Sequence, residues 1–199
     1  MRYRSILVVV VLAALSSGVA GAAPPQLPPQ AAEIARQAGQ VPVPVAARPA
    51  TPAEVRRAFA HPHPGQETEG TPPADTTRTF LRRATEAAVY CWFFEPSMTW
   101  EGWSPWWRKV TQHTYLCGQW AGAITARTTW TTADAALCSQ DAYNYKVGGG
   151  IGYSWVYVES GGYFSCPTAI PWVTLHVRDW FRVYYITQGA AWILESGES

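Results

Sequence analysis

Along much of the C-terminal part of the chain, hydrophobic and polar residues alternate with a period of two. Such segments run over residues 124–132, 153–159 and 172–187, and they are rich in β-branched and aromatic residues. In the third segment Val177 and Phe181 lie on one parity with further apolar residues. A period of two is the spacing of side chains on one face of a β-strand. The pattern therefore predicts a mainly β fold.

Two places in these segments are candidates for turns. Gly161-Gly162 is a two-residue sequence that is favoured in the turns of β-hairpins. We therefore expect residues 163–166 to form the return strand of a hairpin. Around Arg178, a three-residue turn and one long bent strand would both keep the apolar parity of residues 172–187 on one face. The sequence leaves these two arrangements open.

Helix-like spacing occurs in two further places. Residues 77–91 carry apolar residues three to four positions apart, which predicts a short helix leading into a strand. Residues 51–54, Thr-Pro-Ala-Glu, have the spacing of a capping box, and Val55 and Phe59 follow four residues apart. Here the sequence favours a transient single-turn helix, and a short docking or pro-peptide helix is the alternative.

The N-terminus has the three parts of a secretory signal peptide. Arg2 and Arg4 supply the positive charge, residues 6–15 are an unbroken apolar run, and residues 20–22, Ala-Gly-Ala, form a cleavage site of small residues. The apolar run is too short to span a bilayer. We therefore predict a signal peptide over 1–22, a secreted or cell-surface protein, and no transmembrane segment after the signal is removed.

Residues 23–75 differ in composition from the rest of the chain. They hold most of the 16 prolines and a single aromatic residue, Phe59. Such a segment buries too little apolar surface to offset its chain entropy. We expect a disordered tether or removable pro-segment over 23–75, followed by a folded domain over 76–199 that does not depend on it.

The chain contains four cysteines, and all lie in the predicted folded domain: Cys91, Cys117, Cys138 and Cys166. An even number of cysteines in an exported domain, without a C-x-x-C pair, favours disulfides over a metal site. We favour Cys91–Cys117 with Cys138–Cys166, the connectivity that closes the shortest loops in total, but this preference is weak, and all three connectivities stay open. The predicted fold class is all-β and mainly antiparallel: a disulfide-stabilised β-sandwich or partly open barrel with a short N-terminal helix.

Charge and motifs exclude several classes of function. Lys and Arg total 15 against 14 Asp and Glu, a net charge of +1, which is too even for a nucleic-acid binder. No nucleotide, metal or cofactor motif is present, so we predict none of these ligands. His176 is expected on an exposed strand face, and His113 is expected either at the surface or as a hydrogen-bonded structural histidine. A glycoside hydrolase would need two carboxylates, but no motif selects a pair from the candidates Glu95, Glu101, Asp134, Asp141, Glu159 and Asp179.

The most distinctive chemistry is the content of 11 tryptophans. Residues 100–107 read Trp-Glu-Gly-Trp-Ser-Pro-Trp-Trp, in which the glycine and the proline break regular structure. We predict an exposed loop in which Trp103, Trp106 and Trp107 contact a ligand and Glu101 accepts a hydrogen bond from it. Exposed tryptophan rings suit sugar faces and membrane interfaces.

A second aromatic set competes with this loop. Tyr153, Trp155 and Tyr157 share one parity, and a hairpin at Gly161-Gly162 would place them on the same face as Phe164 and Cys166. We therefore predict that this ladder is core.

The resulting functional hypothesis is a non-catalytic module that binds cell-wall or extracellular glycan. The alternatives are a cell-wall hydrolase with a carboxylate or histidine site, and a toxin-like protein that inserts tryptophans into a membrane. The near-neutral charge argues against the toxin, because such proteins usually carry a cationic face.

Overall fold

The computed structural model describes residues 26–73, 89–101, 107–168 and 170–199. Two helices lie in these ranges, α1 (Pro29–Ala38) and α2 (Pro52–Ala60). The strands are β1 (Val43–Val45), β2 (Ala47–Pro49), β3 (Glu67–Gly70), β4 (Val89–Phe94), β5 (Ser97–Glu101), β6 (Trp107–Gln119), β7 (Ile124–Ala135), β8 (Ser139–Gly149), β9 (Trp155–Pro167), β10 (Thr174–Ile186) and β11 (Ala190–Glu198).

The strands form two antiparallel sheets that pack face to face as an open sandwich. Sheet A has the order β1-β11-β10-β9-β8, and sheet B has the order β2-β4-β6-β7-β3 with β5 beside β6. The apolar parity of β10 faces the space between the sheets, where Phe181, Val183 and Tyr185 are buried with Phe94 and Leu116 of sheet B. The predicted fold class, a mainly antiparallel β-sandwich, is confirmed.

Both favoured disulfides are present. Cys91–Cys117 joins directly opposed residues of the neighbouring strands β4 and β6. Cys138–Cys166 joins the β7–β8 connection to the end of β9. The second bridge fixes one end of the sandwich, where the strand connections described below lie.

Residues 26–70 are integrated into the fold, and the prediction of a disordered tether is wrong for them. Helix α1 covers part of the outer face of sheet A, where its buried Ala31 and Ala35 pack with Tyr157, Tyr184 and Trp192. Strand β1 extends sheet A beside β11, while β2 and β3 pair with β4 and β7 in sheet B.

The prolines of this segment occupy positions that tolerate them. Pro29 and Pro52 lie in the first turn of α1 and α2, where a backbone N–H has no partner within the helix. Pro44 and Pro49 lie in the short edge strands β1 and β2. High proline content is therefore compatible with structure here, because none of these prolines interrupts a helix interior or a central strand.

Helix α2 confirms the capping-box spacing but is a full nine-residue helix. The Thr51 hydroxyl accepts a hydrogen bond from the Glu54 backbone N–H at 3.3 Å, and the Glu54 carboxylate accepts one from the Thr51 N–H at 2.8 Å. The buried side chain of Val55 then packs in a cluster with Cys91 and Cys117. The transient single turn predicted from the sequence is therefore a docked helix.

No turn occurs at Gly161-Gly162, contrary to the prediction of a hairpin. Strand β9 runs straight through both glycines, with β8 on one side and β10 on the other. A Cβ at Gly161 would collide with the ring of Tyr143, which lies against this backbone. The glycines therefore provide room for a close approach within a central strand.

This continuity reverses the predicted faces of β9. Val156 and Val158 are the core residues, together with Phe164 and Cys166. Trp155 and Tyr157 lie on the opposite, outer face, where they pack in the cluster beneath α1. The prediction that they share a face with Cys166 is wrong, because it depended on the turn.

Two further details of the strands follow from register. The pairing of β6 with β7 shifts by one residue at Cys117/Gly118, so Ile124 faces the core while Ala126 faces α2. The period-two alternation over residues 124–132 predicts one common face for these two residues, and this prediction is wrong because of the shift. At Arg178 the chain takes the second of the two arrangements left open, a single long strand. The predicted helix over 77–91 lies outside the described residues except for 89–91, which begin β4.

Candidate functional site

Two strand connections and the first residue of β6 meet at one end of the sandwich. The connections link β7 to β8 and β9 to β10. The Ala136 N–H donates a hydrogen bond to the Trp107 carbonyl at 3.0 Å, which joins the first connection to the start of β6. The two connections are joined to each other by the Cys138–Cys166 disulfide. These described residues therefore lie next to one another at this end of the sandwich.

Large apolar side chains on this surface are exposed to solvent. We call it the apolar end, and its described members are Trp107, Leu137, Ile170, Trp172, Val173 and Leu175. Trp172 is 85% exposed and Leu137 is 66% exposed. Single exposed apolar residues are ordinary, but a contiguous apolar patch on a soluble protein usually marks an interaction site.

Charged residues are missing from the sequence of both connections and from the residues between β5 and β6. Residues 102–107, 135–140 and 166–177 contain no Asp, Glu, Lys or Arg, although such residues make up 15% of the chain. Charges stand just outside the stretches, at Glu101 and Arg108, at Asp134 and Asp141, and at Arg178. The described connections of the apolar end are therefore uncharged, and charged residues directly flank them in sequence.

The β9–β10 connection is held in a defined shape by Thr168. Its backbone N–H donates to the Val173 carbonyl at 3.2 Å, and its single hydroxyl proton is shared between the carbonyls of Ile170 at 3.1 Å and Val173 at 2.9 Å. The turn between them presents Trp172 outward. Exposure of this tryptophan is therefore built into a hydrogen-bonded turn.

A buried ion pair ties the two sheets together beneath the apolar end. Arg108 of β6 donates from Nε to the Asp179 carboxylate of β10 at 2.5 Å and from Nη2 to Glu198 of β11 at 3.0 Å. Arg108 and Asp179 are buried, whereas the side chain of Glu198 is half exposed. Burial raises the pKa of Asp179 above its usual value, although the Arg108 hydrogen bond opposes the shift.

The structure describes two of the four predicted ligand contacts. Glu101 and Trp107 are opposed partners at the end of the β5–β6 pair, and both are exposed. Trp103 and Trp106 lie outside the described residues. The structure therefore brings Glu101 and Trp107 together at the border of the apolar end.

Sequence reasoning missed Leu137, Ile170, Trp172 and Leu175. The available signal was the uncharged stretch 166–177, which is the longest of the three. The period-two alternation over residues 172–187 places Leu175 on the same apolar parity as Val177. Only Val177 is buried, because the end of the β9–β10 hairpin extends past the core.

The other aromatic platform is partly covered. Trp155 stacks on Tyr184 with ring centroids 5.3 Å apart, and the Tyr157 hydroxyl donates to Glu195. Tyr153 alone of the predicted ladder is exposed. Next to this stack the described residues form a pocket of about 430 Å³, lined by Gln26, Pro28, Ser154, Trp155, Tyr184, Ile186 and Gln188.

A buried carboxylate organises the rest of the outer face of sheet A. Glu159 is 1% exposed and accepts hydrogen bonds from four side chains. These donors are Tyr143 at 3.0 Å, Tyr145 at 2.7 Å, Arg178 at 2.6 Å and Arg182 at 2.8 Å. Burial alone would raise the pKa of Glu159, but the hydrogen bonds outweigh it and hold the pKa below its usual value. With two arginines bound, this carboxylate is suited to structure rather than to proton transfer.

Replacing Glu159 with Gln is expected to lower the free energy of unfolding at pH 7 by about 2–3 kcal/mol, because it leaves buried donors without an acceptor. Since the folded pKa is lowered, the carboxylate stabilises the fold above its unfolded pKa of about 4.3, and this stability is lost as pH falls through the folded pKa. Urea unfolding between about pH 2 and 7 should show a flatter acid limb for Glu159→Gln. The exposed control Glu101→Gln should follow the parent curve; equal effects of the two variants would contradict the assignment.

The histidines lie apart from the apolar end or at its border. His113 stacks on Trp130 at 5.0 Å, and His63 stacks on the same indole at 4.2 Å. Burial lowers the pKa of His113, although nearby Glu95 opposes the shift. His176 is exposed, as predicted, and its Nδ1 is 2.9 Å from the Ser165 hydroxyl.

The described ranges contain no group of three His, Cys, Asp or Glu side chains placed to hold a metal ion. None of their helices is both long and apolar enough to cross a membrane.

Comparisons of the chain with protein-family models, curated proteins and solved structures found no match.

Proposed function

We propose that the protein is a non-catalytic binding module that engages its target through the apolar end. The observation that carries this proposal is the joining of two uncharged connections and the start of β6 into one surface with exposed Trp107, Leu137 and Trp172. Leaving such side chains in water forgoes roughly 1.5–3 kcal/mol for each one that burial could stabilise. A target that covers them recovers this free energy.

The proposed location is outside the cell. Two disulfides, Cys91–Cys117 and Cys138–Cys166, are compatible with an oxidising compartment. Export through a signal peptide over 1–22 is part of the proposal and depends on the sequence alone. Exposed tryptophans bind glycans and membrane interfaces, and a secreted or cell-surface module would encounter both.

Support for a glycan ligand comes from the border of the apolar end. Glu101 can accept a hydrogen bond from a sugar hydroxyl, and its cross-strand partner Trp107 offers a ring for stacking. A sugar site combines such a ring with several convergent polar groups. In the described structure Glu101 is the charged hydrogen-bond acceptor next to Trp107. The glycan hypothesis therefore depends on this pair.

A hydrolase receives less support from the candidate carboxylates. Glu159 and Asp179 are buried and paired with arginines. Glu95 lies 3.3 Å from Nδ1 of His113, but that histidine is stacked against Trp130. An enzymatic site would place such a pair in a cleft that holds the substrate.

The binding proposal is tested by retention on a panel of cellulose, chitin, cell-wall polymer and lipid vesicles. Leu137→Ser combined with Trp172→Ser should reduce retention on the bound member by at least about tenfold, because it removes two of the most exposed apolar groups. Tyr153→Ser, an exposed aromatic at the opposite end of the sandwich, is the matched control and should leave retention unchanged.

Two outcomes would overturn the proposal. One is equal retention of the parent and the apolar-end variant on every member of the panel. The other is clearing of cell-wall suspensions by the parent protein, which would show catalysis. Thermal midpoints of all variants within a few degrees of the parent would show that the substitutions act on binding alone.

A further inference from the structure

We propose that the partner of the apolar end is the surface of a lipid bilayer, with Leu137, Ile170, Trp172 and Leu175 entering the boundary between headgroups and acyl chains. This inference rests on the proposed function, binding through the apolar end, and names its target. Trp107 lies beside them at the border of the surface.

The shape of the surface fits a flat partner. The exposed side chains stand on separate connections at the end of the sandwich, and the β9–β10 hairpin extends past the core. Two described pockets, of about 430 and 390 Å³, are lined by other residues: the first beside α1, the second around Glu69, Arg127 and Lys146. Neither pocket includes a member of the apolar end, whereas a bilayer requires no cavity.

The polar side chains of the β9–β10 hairpin are already engaged with the protein. The Thr168 hydroxyl is bonded within its own turn, and the Ser165 hydroxyl is paired with His176. A glycan site would need such groups free to bond sugar hydroxyls. What the hairpin presents outward is the indole of Trp172 and the aliphatic side chains of Ile170 and Leu175. Tryptophan is enriched where one side of a ring meets hydrocarbon and the other meets water.

The charge pattern indicates which bilayer. With no Lys or Arg in residues 135–140 and 166–177, the described connections lack the cationic face that attracts anionic lipids. The absence of Asp and Glu removes the cost of desolvating carboxylates on entry. We therefore expect binding to neutral phosphatidylcholine, driven by apolar burial and insensitive to salt.

The connections can enter a bilayer without rearrangement. The Cys138–Cys166 disulfide and the Arg108–Asp179 ion pair fix the positions of the β7–β8 and β9–β10 connections relative to the two sheets. The hydrogen bonds of Thr168 hold the turn that carries Trp172. Little conformational entropy then remains to be lost on binding, which favours affinity.

The experiment is flotation of chain 23–199 with phosphatidylcholine vesicles. This chain contains every described element and lacks the apolar run over 6–15, which could bind lipid by itself. The protein should float with the vesicles. Adding anionic phosphatidylglycerol, or raising NaCl from about 0.1 to about 1 M, should change the partition coefficient by less than about twofold. Trp172→Ser combined with Leu175→Ser should lower it by at least about tenfold, and Tyr153→Ser should not.

Failure of this inference is distinct from failure of the binding function. If no vesicle retains the protein while a glycan still does, and the apolar-end variants release it, the bilayer is wrong and the binding function stands. Sedimentation showing a dimer that Trp172→Ser dissociates, without vesicle binding, would assign the surface to a second copy and overturn the inference. Loss of binding only when salt is raised would also overturn it.

Discussion

Replacing Ala35 with Glu is expected to lower the free energy of unfolding by about 3–5 kcal/mol, whereas the same replacement at Ala32 should change it by less than about 0.5 kcal/mol. Both alanines lie in α1, so helix propensity and charge are matched. Ala35 is 1% exposed and packs with Tyr184 and Trp192, while Ala32 faces solvent. Urea unfolding followed by circular dichroism measures the difference.

The comparison decides whether residues 26–73 belong to the folded unit. If both variants match the parent, α1 does not dock, and the tether predicted from composition is correct after all. If only Ala35→Glu is destabilised, a chain that begins at residue 74 should lose the cooperative transition. Such a chain would expose Tyr157, Tyr184 and Trp192 of sheet A, and it would also lose β1 and β3 from the sheet edges.

Composition misled at this segment for a physical reason. In residues 26–73 the only leucine, isoleucine and aromatic side chains are Leu27, Ile34 and Phe59, which are too few to form a core alone. They bury small residues, such as Ala31 and Ala35, against aromatic rings supplied by β9, β10 and β11. The composition of the segment does not show which distant aromatic ring an alanine will pack against. The docking of α1 could therefore not be predicted from the sequence.

Period-two alternation and cysteine spacing were sufficient for other features. The inward face of β10, with Phe181 and Val183, follows from parity alone once the strand is known. The disulfide connectivity is the one whose two loops are shortest in total, and the capping box at Thr51 and Glu54 is a local motif. Each of these depends on neighbours in sequence or on a single periodicity.

Long-range contacts account for the misses in the strands. The sequence Gly161-Gly162 is typical of a turn. In the structure the missing side chain at Gly161 instead leaves room for the ring of Tyr143 from the neighbouring strand. The bulge at Cys117/Gly118 changes parity without any sequence signal. For the candidate site, tryptophan density pointed to residues 100–107, while Trp172 joins that end only through the pairing of β9 with β10.

The ion pair beneath the apolar end should have a comparably large effect on stability. Arg108→Met is expected to cost about 3–5 kcal/mol at pH 7, because it leaves the Asp179 carboxylate buried and unpaired. Arg108→Met combined with Asp179→Leu should recover most of this loss, since an apolar pair of similar volume replaces the ions. Lys109→Met, the adjacent cation on the other face of β6, is the matched control and should change stability little.

The pH dependence separates an unpaired charge from lost packing. The folded pKa of Asp179 is already raised in the parent, and without Arg108 burial should raise it further. For a raised pKa, the stabilising effect of the proton is complete below the unfolded value of about 3.9 and is lost as pH rises through the folded value. The deficit of Arg108→Met should therefore be small near pH 3 and grow towards neutrality. Glu198 also loses a partner, but its side chain is half exposed and can be hydrated instead. A deficit that is constant with pH, or a double variant as unstable as Arg108→Met, would show that Arg108 contributes packing rather than charge.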